Sequence, residues 1–362
     1  MSKRVSGGLT LFLVIVALLV GALGGFLYHG VSTAPSSDQL PVGGNAAVGA
    51  GDNEFEIHFI DQESIYTGDC IYLRAGTVDI LIDAGPRASA VPLIADYLND
   101  HMQDDVLDYV IVTHADQDHI AGFGTNENTD SIFDLFEVRF IIDFPLTGKD
   151  TQVYRNYLRE RDAEVAAGAT HYTALECIEN GMQVITLSQH VKMTILNSYF
   201  YTHSSSDENN YSVCVLFTQG EHHYLFTGDL ERKGEEYLVQ MNDLPKVDIF
   251  KGGHHGSSTS STPTLLSVIQ PEIVVYTCVA FSNEYATFFP TQQTINNVAA
   301  YTERVYVTGR YDAATDSYQP CNGTVVFVIN GDDLAIACSG TDTVFGKTEW
   351  FDEYLKTPVY WQ

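Results

Sequence analysis

The most constraining feature of the sequence is the stretch LDYVIVTHADQDHIAG at residues 107–122. Its apolar run ends in two histidines and two aspartates within six positions, namely His114, Asp116, Asp118 and His119. The run predicts a buried strand that delivers these side chains into a loop. Carboxylates and imidazoles crowded beside a buried strand need a partner, and together they are ligands of zinc, manganese or iron. We therefore expect a metal site at the end of this strand.

The same pattern recurs at three other predicted strand ends. Asp83 ends a strand in VDILIDAG, Asp229 ends HHYLFTGD, and the pair His254 and His255 follows VDIFKGG. In layered α/β proteins, rigid strands hold ligand and catalytic groups in the loops at their ends. The four segments are therefore expected to meet around one metal centre. The sequence contains neither a G-x-G-x-x-G after a strand nor a G-x-x-x-x-G-K, which argues against a dinucleotide or phosphate loop.

The chain of 362 residues is strongly acidic, with 18 basic against 47 acidic side chains and a formal net charge of -29. A surface of this sign repels nucleic acid at long range. A polyanionic substrate therefore needs bound cations or a local basic patch. The hydrophobic content of 45% is enough for a folded core, which excludes a disordered chain.

The N-terminal segment differs from the rest of the sequence. Residues 7–28 carry no charge and follow Lys3 and Arg4, a pattern typical of a transmembrane signal anchor with residues 1–6 in the cytoplasm. A cleaved signal peptide is the alternative. Residues 29–53 are rich in Gly, Ala, Ser and Pro and predict a flexible linker. Both interpretations predict an extracellular domain, and the anchor predicts a single-pass protein of the cell membrane.

Residues 54–345 predict one domain in which strands and helices alternate. Helices are predicted at residues 89–102, 150–168, 231–241, 263–269 and 291–302. This order fits two mixed sheets with helices on their outer faces. The aromatic tail at residues 346–362 is expected to pack on the domain.

Four stretches in this order resemble the metallo-β-lactamase fold hydrolases, and within them the branch of the ComEC competence protein's hydrolase domain. They are IDQESIYTGDCIYL followed by LIDAG, then THADQDHIAG, NNYSVCVLF…YLFTGDLE, and VDIFKGGHHGSSTS, within about residues 54–340. The resemblance implies an α/β fold, a four-layer αββα sandwich, here in a free-standing and membrane-anchored protein.

The resemblance also implies roles for individual residues. One metal is assigned His114 and Asp116, a second metal Asp118 and His119, and Asp229 bridges the two. His255 is the favoured ligand of the second metal while His254 contacts substrate or leaving group, although the two could be exchanged. Asp118 also steers the nucleophile. The remaining assignments are Asp83 as a residue that orients a histidine, Ser257 and the Gly256 backbone as donors to a substrate oxygen, and Lys251 as a phosphate-binding cation or a solvated lysine.

Two departures from the family pattern affect the metal. Asp116 stands where most of the superfamily has histidine, which makes the site richer in oxygen and favours Mn²⁺ or loosely bound Zn²⁺. The superfamily's lone histidine before the GD strand is not evident, and the ENNYS turn, with Asn209 or Asn210, takes its place. The sequence therefore predicts one or two divalent metals, with the first one weak.

The function that the resemblance implies is metal-dependent hydrolysis outside the cytoplasm, by hydroxide generated on a divalent metal. A phosphodiesterase or nuclease is favoured. Its substrate is a cell-wall phosphocholine ester, a nucleotide or DNA, with long DNA disfavoured by the acidity. The alternatives are a β-lactam or lactone hydrolase and a non-catalytic tethered binding module with a degenerate site. The sequence shows no obligate protein partner.

Overall fold

Two mixed sheets of eight strands each form the fold in the computed structural model, which describes residues 54–124, 129–282 and 288–344. The first sheet has the spatial order β16 (Asp333–Cys338), β15 (Val325–Asn330), β1 (Glu54–Phe59), β2 (Ile71–Ala75), β3 (Val78–Ile82), β4 (Val106–Ile111), β5 (Glu137–Asp143) and β6 (Thr170–Thr173). The second has the order β14 (Ser317–Pro320), β13 (Val305–Asp312), β12 (Ile273–Ala280), β11 (Ile249–Lys251), β10 (His222–Phe226), β9 (Val215–Gln219), β8 (Val191–Ile195) and β7 (Val184–Thr186).

The two sheets pack face to face through large aromatic side chains. The Phe55 ring of β1 lies 5.6 Å from the Phe217 ring and 5.4 Å from the Tyr224 ring, both of the second sheet. Phe59, four residues further along the same face of β1, stacks 6.0 Å from Phe226. Because side chains alternate along a strand, the phenylalanines of FEIHF point into the sandwich and Glu56 and His58 point outward.

Helices cover the outer faces of both sheets. Outside the first sheet, the Tyr97 hydroxyl of helix Val91–His101 lies 2.7 Å from the His58 ring of β1. Helices Arg232–Met241, Pro263–Ile269 and Gln292–Val298 share an apolar cluster with β11, β12 and β13 of the second sheet. The other described α-helices are Gln117–Ile120, Ile132–Leu135, Gln152–Ala167 and Ala174–Glu179. The predicted sandwich of two mixed sheets with outer helices is therefore confirmed.

Some elements differ from the predictions. The sequence did not predict β6, β7 or helix Ala174–Glu179, because these short segments lack a continuous apolar face. The predicted helix at residues 291–302 ends at Val298. The predicted anchor, linker and aromatic tail lie outside the described residues. Within the described ranges, no helix is long and apolar enough to cross a membrane.

Strand direction positions the four polar loops. β3, β4 and β5 run parallel in the first sheet, and β10, β11 and β12 run parallel in the second. The carboxyl ends of parallel strands meet at one edge of a sheet, which is where such proteins bind ligands. The loops after β3, β4, β10 and β11 therefore lie close together across the sandwich.

Candidate metal centre

Four side chains from both sheets converge at this edge. One ligand atom each from Asp118, His119, Asp229 and His255 lies within 4.8 Å of all the others. The Nε2 atoms of His119 and His255 are each 3.2 Å from Oδ2 of Asp229. His255 Nε2 is also 3.4 Å from Oδ2 of Asp118. The loop after β4 supplies Asp118 and His119, and the loops after β10 and β11 supply Asp229 and His255.

Several polar atoms of this group have no hydrogen-bond partner although they are buried. Within the described residues these atoms include the Nε2 nitrogens of His114, His119 and His255, and Oδ1 of Asp229. A buried polar atom left in this state costs about 1–3 kcal/mol. The imidazole nitrogens of His119 and His255 flank the Asp229 carboxylate, and together these groups form the donor set of a divalent cation. The chemistry of the site therefore fits a bound metal.

Partners on the far side of each ring fix the imidazole tautomers. His119 Nδ1 is 2.7 Å from Oδ2 of Asp83, and because a carboxylate only accepts, Nδ1 carries the proton. Asp83 itself accepts from the backbone and hydroxyl of Thr113 at 2.8 and 2.7 Å. His255 Nδ1 donates to the Thr277 carbonyl at 2.9 Å. In its neutral form each ring therefore presents an Nε2 lone pair to the centre, an arrangement typical of metal-binding histidines.

The protonation of the histidines and of Asp229 determines the charge of the centre that a cation would meet. Burial lowers the pKa of His114 to about 4, so this imidazole is neutral at pH 7. Burial also opposes the charged forms of His119 and His255, but Asp229 and neighbouring carboxylates raise the pKa of both rings well above the usual value. Burial raises the pKa of Asp229, yet His255 and His119 hold it well below its usual range. Metal binding therefore displaces protons from the two imidazoles.

A buried ion pair between Lys251 and Asp69 lies next to Asp229 of the centre. Lys251, only 1% exposed, places its Nζ 2.5 Å from Oδ2 of Asp69 and 3.6 Å from Oδ1 of Asp229. The other oxygen of Asp69 is 3.2 Å from Nδ1 of His255 and accepts from the Thr277 hydroxyl. A second group of potential ligands, Asp69, Asp83 and His119, lies here. The Lys251 ammonium already supplies a positive charge to this second group, so we assign the group a structural role beside the centre.

Two glycines allow the loops of the first sheet to pack closely. A Cβ atom on Gly68 would lie 2.7 Å from the Asp118 carbonyl oxygen, and one on Gly85 would lie 2.3 Å from it. Both distances are shorter than any real contact of a Cβ atom. The same carbonyl accepts from the Asp69 backbone at 3.0 Å. The TGD and DAG segments therefore need glycine in order to hold the Asp118 loop.

The backbone at the histidine pair is left-handed. His254 and His255 have φ angles of 46° and 53°, which cost about 1–3 kcal/mol each for residues other than glycine. Hydrogen bonds from the His254 backbone to Gly228 at 3.2 Å and from Ser257 to His254 at 2.7 Å hold the turn. It separates the two rings: the His255 side chain is 1% exposed and the His254 side chain 21%.

The sequence matches a known family in the part that carries these loops. Residues 66–125 match the model of the metallo-β-lactamase superfamily. The matched segment contains the loops after β3 and β4, and in it the chain is similar to that superfamily. The superfamily resemblance predicted from the four stretches is therefore confirmed.

The curated relatives that the chain matches are competence and recombination proteins. Recombination protein 2 of Haemophilus influenzae is 26% identical over 170 residues, which cover 47% of this chain and 17% of the relative. ComE operon protein 3 of Bacillus subtilis is 25% identical over 222 residues, 60% of this chain and 25% of the relative. Competence protein ComA of Neisseria gonorrhoeae is 37% identical over 98 residues, 26% and 14% respectively. The matched region thus spans at most a quarter of each relative's length.

The remaining predicted site residues lie around the four-residue group. The structure places His255 in that group, whereas His254 Nε2 lies 3.7 Å from Oδ2 of Asp229. His114 Nε2 lies 3.7 Å from Oδ2 of Asp116, and Asp116 is ion-paired with Lys149. Burial lowers the pKa of Lys149, but the hydrogen bond and charge of Asp116 outweigh it and raise the pKa above its usual value.

Other predicted residues have structural partners. Asn210 accepts from the Gly234 backbone at 3.1 Å, while the amide of Asn209 lies 3.5 Å from His254 Nδ1. In the asparagine turn it is therefore Asn209 that reaches a site histidine. The Ser257 hydroxyl is 3.0 Å from that of Thr259, and the Gly256 carbonyl accepts from the Thr291 backbone. Lys251 is buried, so it is neither a solvated lysine nor a cation that is exposed to the substrate.

Sequence analysis did not single out several residues that organise the candidate metal centre. They are Asp69, Thr113, Lys149, Ser212 and Thr277. Asp69 left a signal, since a lone carboxylate directly before the apolar strand IYL needs a buried partner. The others are single polar residues at strand or loop positions and left none.

Hydrogen bonds to Glu235 hold the loop that follows the histidine pair, and this contact gives a first prediction. Its two buried carboxylate oxygens accept from the backbones of Ser261 at 2.6 Å and Thr262 at 2.9 Å. In Glu235→Gln one carboxylate oxygen becomes an amide NH2 group. Because both oxygens of Glu235 accept from backbone N–H groups, this NH2 group faces a donor in either orientation of the side chain. We expect the free energy of unfolding to fall by about 1–3 kcal/mol in urea denaturation. Glu236→Gln, on the same helix, removes only a surface pair with Lys233 and is the control. Equal stability of the two variants would contradict the role of Glu235.

Proposed function

We propose that this protein is a divalent-metal-dependent phosphodiesterase. The observation that carries the proposal is the pair of buried Nε2 atoms of His119 and His255, which face Asp229 without hydrogen-bond partners, with the His114 ring next to that of His119. The oxygen-rich surroundings, with Asp116 and Asp118 beside the histidines, favour metals that suit phosphate chemistry, such as Mn²⁺ or Zn²⁺. The names of the relatives, which refer to recombination and competence, agree with a substrate related to nucleic acid.

In this proposal Asp118, His119, Asp229 and His255 hold the metal, and His114 lies next to them. A divalent cation in such a centre lowers the pKa of a water molecule and polarises a phosphoryl oxygen. Asp118, whose side chain is 23% exposed, faces the side from which water enters and orients the attacking molecule.

His254 is the proposed donor of a proton to the leaving group. Its Nδ1 lies 3.0 Å from the Thr259 hydroxyl and 3.5 Å from Oε1 of Glu231. These two groups hold the ring from its Nδ1 side, and Nε2 is turned toward Asp229, with 3.7 Å between it and Oδ2. The ring is therefore placed to give its Nε2 proton to an alkoxide formed beside the centre.

The substrate that the charge favours is small. A chain of net charge -29 repels a long polyanion, whereas a nucleotide or a zwitterionic phosphocholine ester experiences little repulsion. DNA remains a candidate at a salt concentration that screens the surface. The apolar segment 7–28 extends the proposal to an activity on the outer side of a membrane.

The direct test uses protein reconstituted with Mn²⁺ or Zn²⁺. We expect bound metal by elemental analysis, a higher melting temperature with metal than with EDTA, and cleavage of bis(p-nitrophenyl) phosphate. Asp118→Ala should abolish the cleavage, and His190→Ala, which changes an exposed histidine far from the centre, should leave it unchanged.

A substrate panel completes that test. It contains linear DNA, a phosphocholine ester and nitrocefin. Cleavage of nitrocefin alone would favour a carbonyl hydrolase and contradict the proposal. A protein that binds metal and hydrolyses none of the substrates would favour the non-catalytic binding module.

A further inference from the structure

A lysine lies beside Asp116, where the first of the two metals is expected. Lys149, in the loop between β5 and helix Gln152–Ala167, pairs its ammonium with Oδ1 of Asp116. Its side chain is 32% exposed, so the ammonium faces both the carboxylate and the solvent. Of its three N–H donors one is used by Asp116, and the others are available to a substrate anion.

The loop that carries this lysine is held in place by Glu208. One oxygen of Glu208 accepts from the Gly148 backbone at 2.8 Å, and the other accepts from the Thr147 hydroxyl. Thr147 Oγ1 in turn accepts from the Lys149 backbone at 2.9 Å. Glu208 begins the turn that stands where the superfamily's lone histidine is expected. The turn that lacks the histidine therefore positions the lysine.

The ligand sets on the two sides of the centre are unequal. Asp118, His119, Asp229 and His255 form a compact group, but no group of three potential ligands within the described ranges includes His114 or Asp116. The carboxylate of Asp116 already has the Lys149 ammonium as its counter-ion. A divalent ion at this position would have to displace that ammonium and would find few ligands.

We propose that the Lys149 ammonium replaces the first metal, so that the protein holds one tightly bound divalent ion beside a fixed organic cation. This inference rests on the proposed function in one respect: the ammonium supplies the second positive charge that binds a phosphate oxygen. Its +1 charge balances the carboxylate of Asp116, which is its ion-pair partner.

Metal counting tests the inference independently of activity. We expect elemental analysis after dialysis to give one Mn²⁺ or Zn²⁺ per chain for the wild type. In Lys149→Met the carboxylate of Asp116 is released, and a second ion should bind about tenfold more tightly than to the wild type in calorimetric titration. Lys149→Arg keeps the positive charge and should retain one ion. Lys192→Met, at an exposed position of β8, is the control and should behave as the wild type.

Kinetics test the substrate contact. With one metal bound, Lys149→Met should raise KM for bis(p-nitrophenyl) phosphate by about tenfold or more, since a hydrogen bond to a charged group contributes about 1.5–3 kcal/mol. Two tightly bound ions in the wild type would overturn the inference, whatever the activity. One ion in the wild type and a second in Lys149→Met, without any phosphodiester cleavage, would support the metal replacement and contradict the proposed function.

Discussion

Replacing Asp229 by asparagine is expected to remove both metal binding and hydrolysis. Asp229 Oδ2 lies 3.2 Å from the Nε2 atoms of both His119 and His255, and its Oδ1 is buried without a hydrogen-bond partner. The asparagine keeps the shape but loses the charge that attracts the cation. A metal contributes several kcal/mol to the stabilisation of a transition state, so the rate should fall by roughly 10³-fold. Elemental analysis and the phosphodiesterase assay measure the two effects.

The matched control for Asp229→Asn is Asp332→Asn. Asp332 is a fully exposed carboxylate that lies 3.3 Å from a surface histidine, His222. The same chemical change there should leave metal content, activity and melting temperature unaltered. An Asp229→Asn protein that retains metal at the wild-type level would contradict the assignment of the centre.

Replacing Lys251 by methionine is expected to produce the largest loss of stability. The methionine keeps most of the volume but leaves the Asp69 carboxylate, 1% exposed, without its counter-ion. Removing one partner of a buried ion pair costs about 3–5 kcal/mol. In a domain of this size the melting temperature should fall by about 10 °C. Differential scanning calorimetry of the metal-free protein measures the effect without a contribution from the cation.

A double variant separates charge from positioning. Lys251→Met with Asp69→Asn removes both buried charges and should recover part of the lost stability. It should still bind metal about 10–100-fold more weakly, because the Nδ1 of His255 loses the neighbouring carboxylate. Lys246→Met, at an exposed position, is the control. Wild-type stability in Lys251→Met would show that the pair contributes nothing to the folded state.

The strands and the loops that end them were predictable because their signals are local. Apolar runs such as YVIVT and YLFTG determine where a chain becomes extended, and the polar residues that follow must leave the core. Local periodicity therefore placed Asp118, His119, Asp229 and His255 at strand ends. The family resemblance then brought them together.

The supporting contacts were not predictable, because they join residues that are far apart along the chain. Nothing near Lys251 in the sequence indicates that its partner is Asp69, and nothing near Lys149 indicates Asp116. The asparagine turn shows a different difficulty. In a tight turn neighbouring residues point in different directions, so Asn209 reaches His254 whereas Asn210 accepts from the start of a helix.

The four ligands come from both sheets, and this affects how long the protein stays folded. Asp118 and His119 belong to one layer of the sandwich, and Asp229 and His255 belong to the other. A single ion that holds all four cross-links the layers, and they cannot separate until it leaves. Metal supply should therefore govern how fast the domain opens and is degraded by proteases. In a cell starved of divalent metal, the amount of this protein would decrease together with its activity.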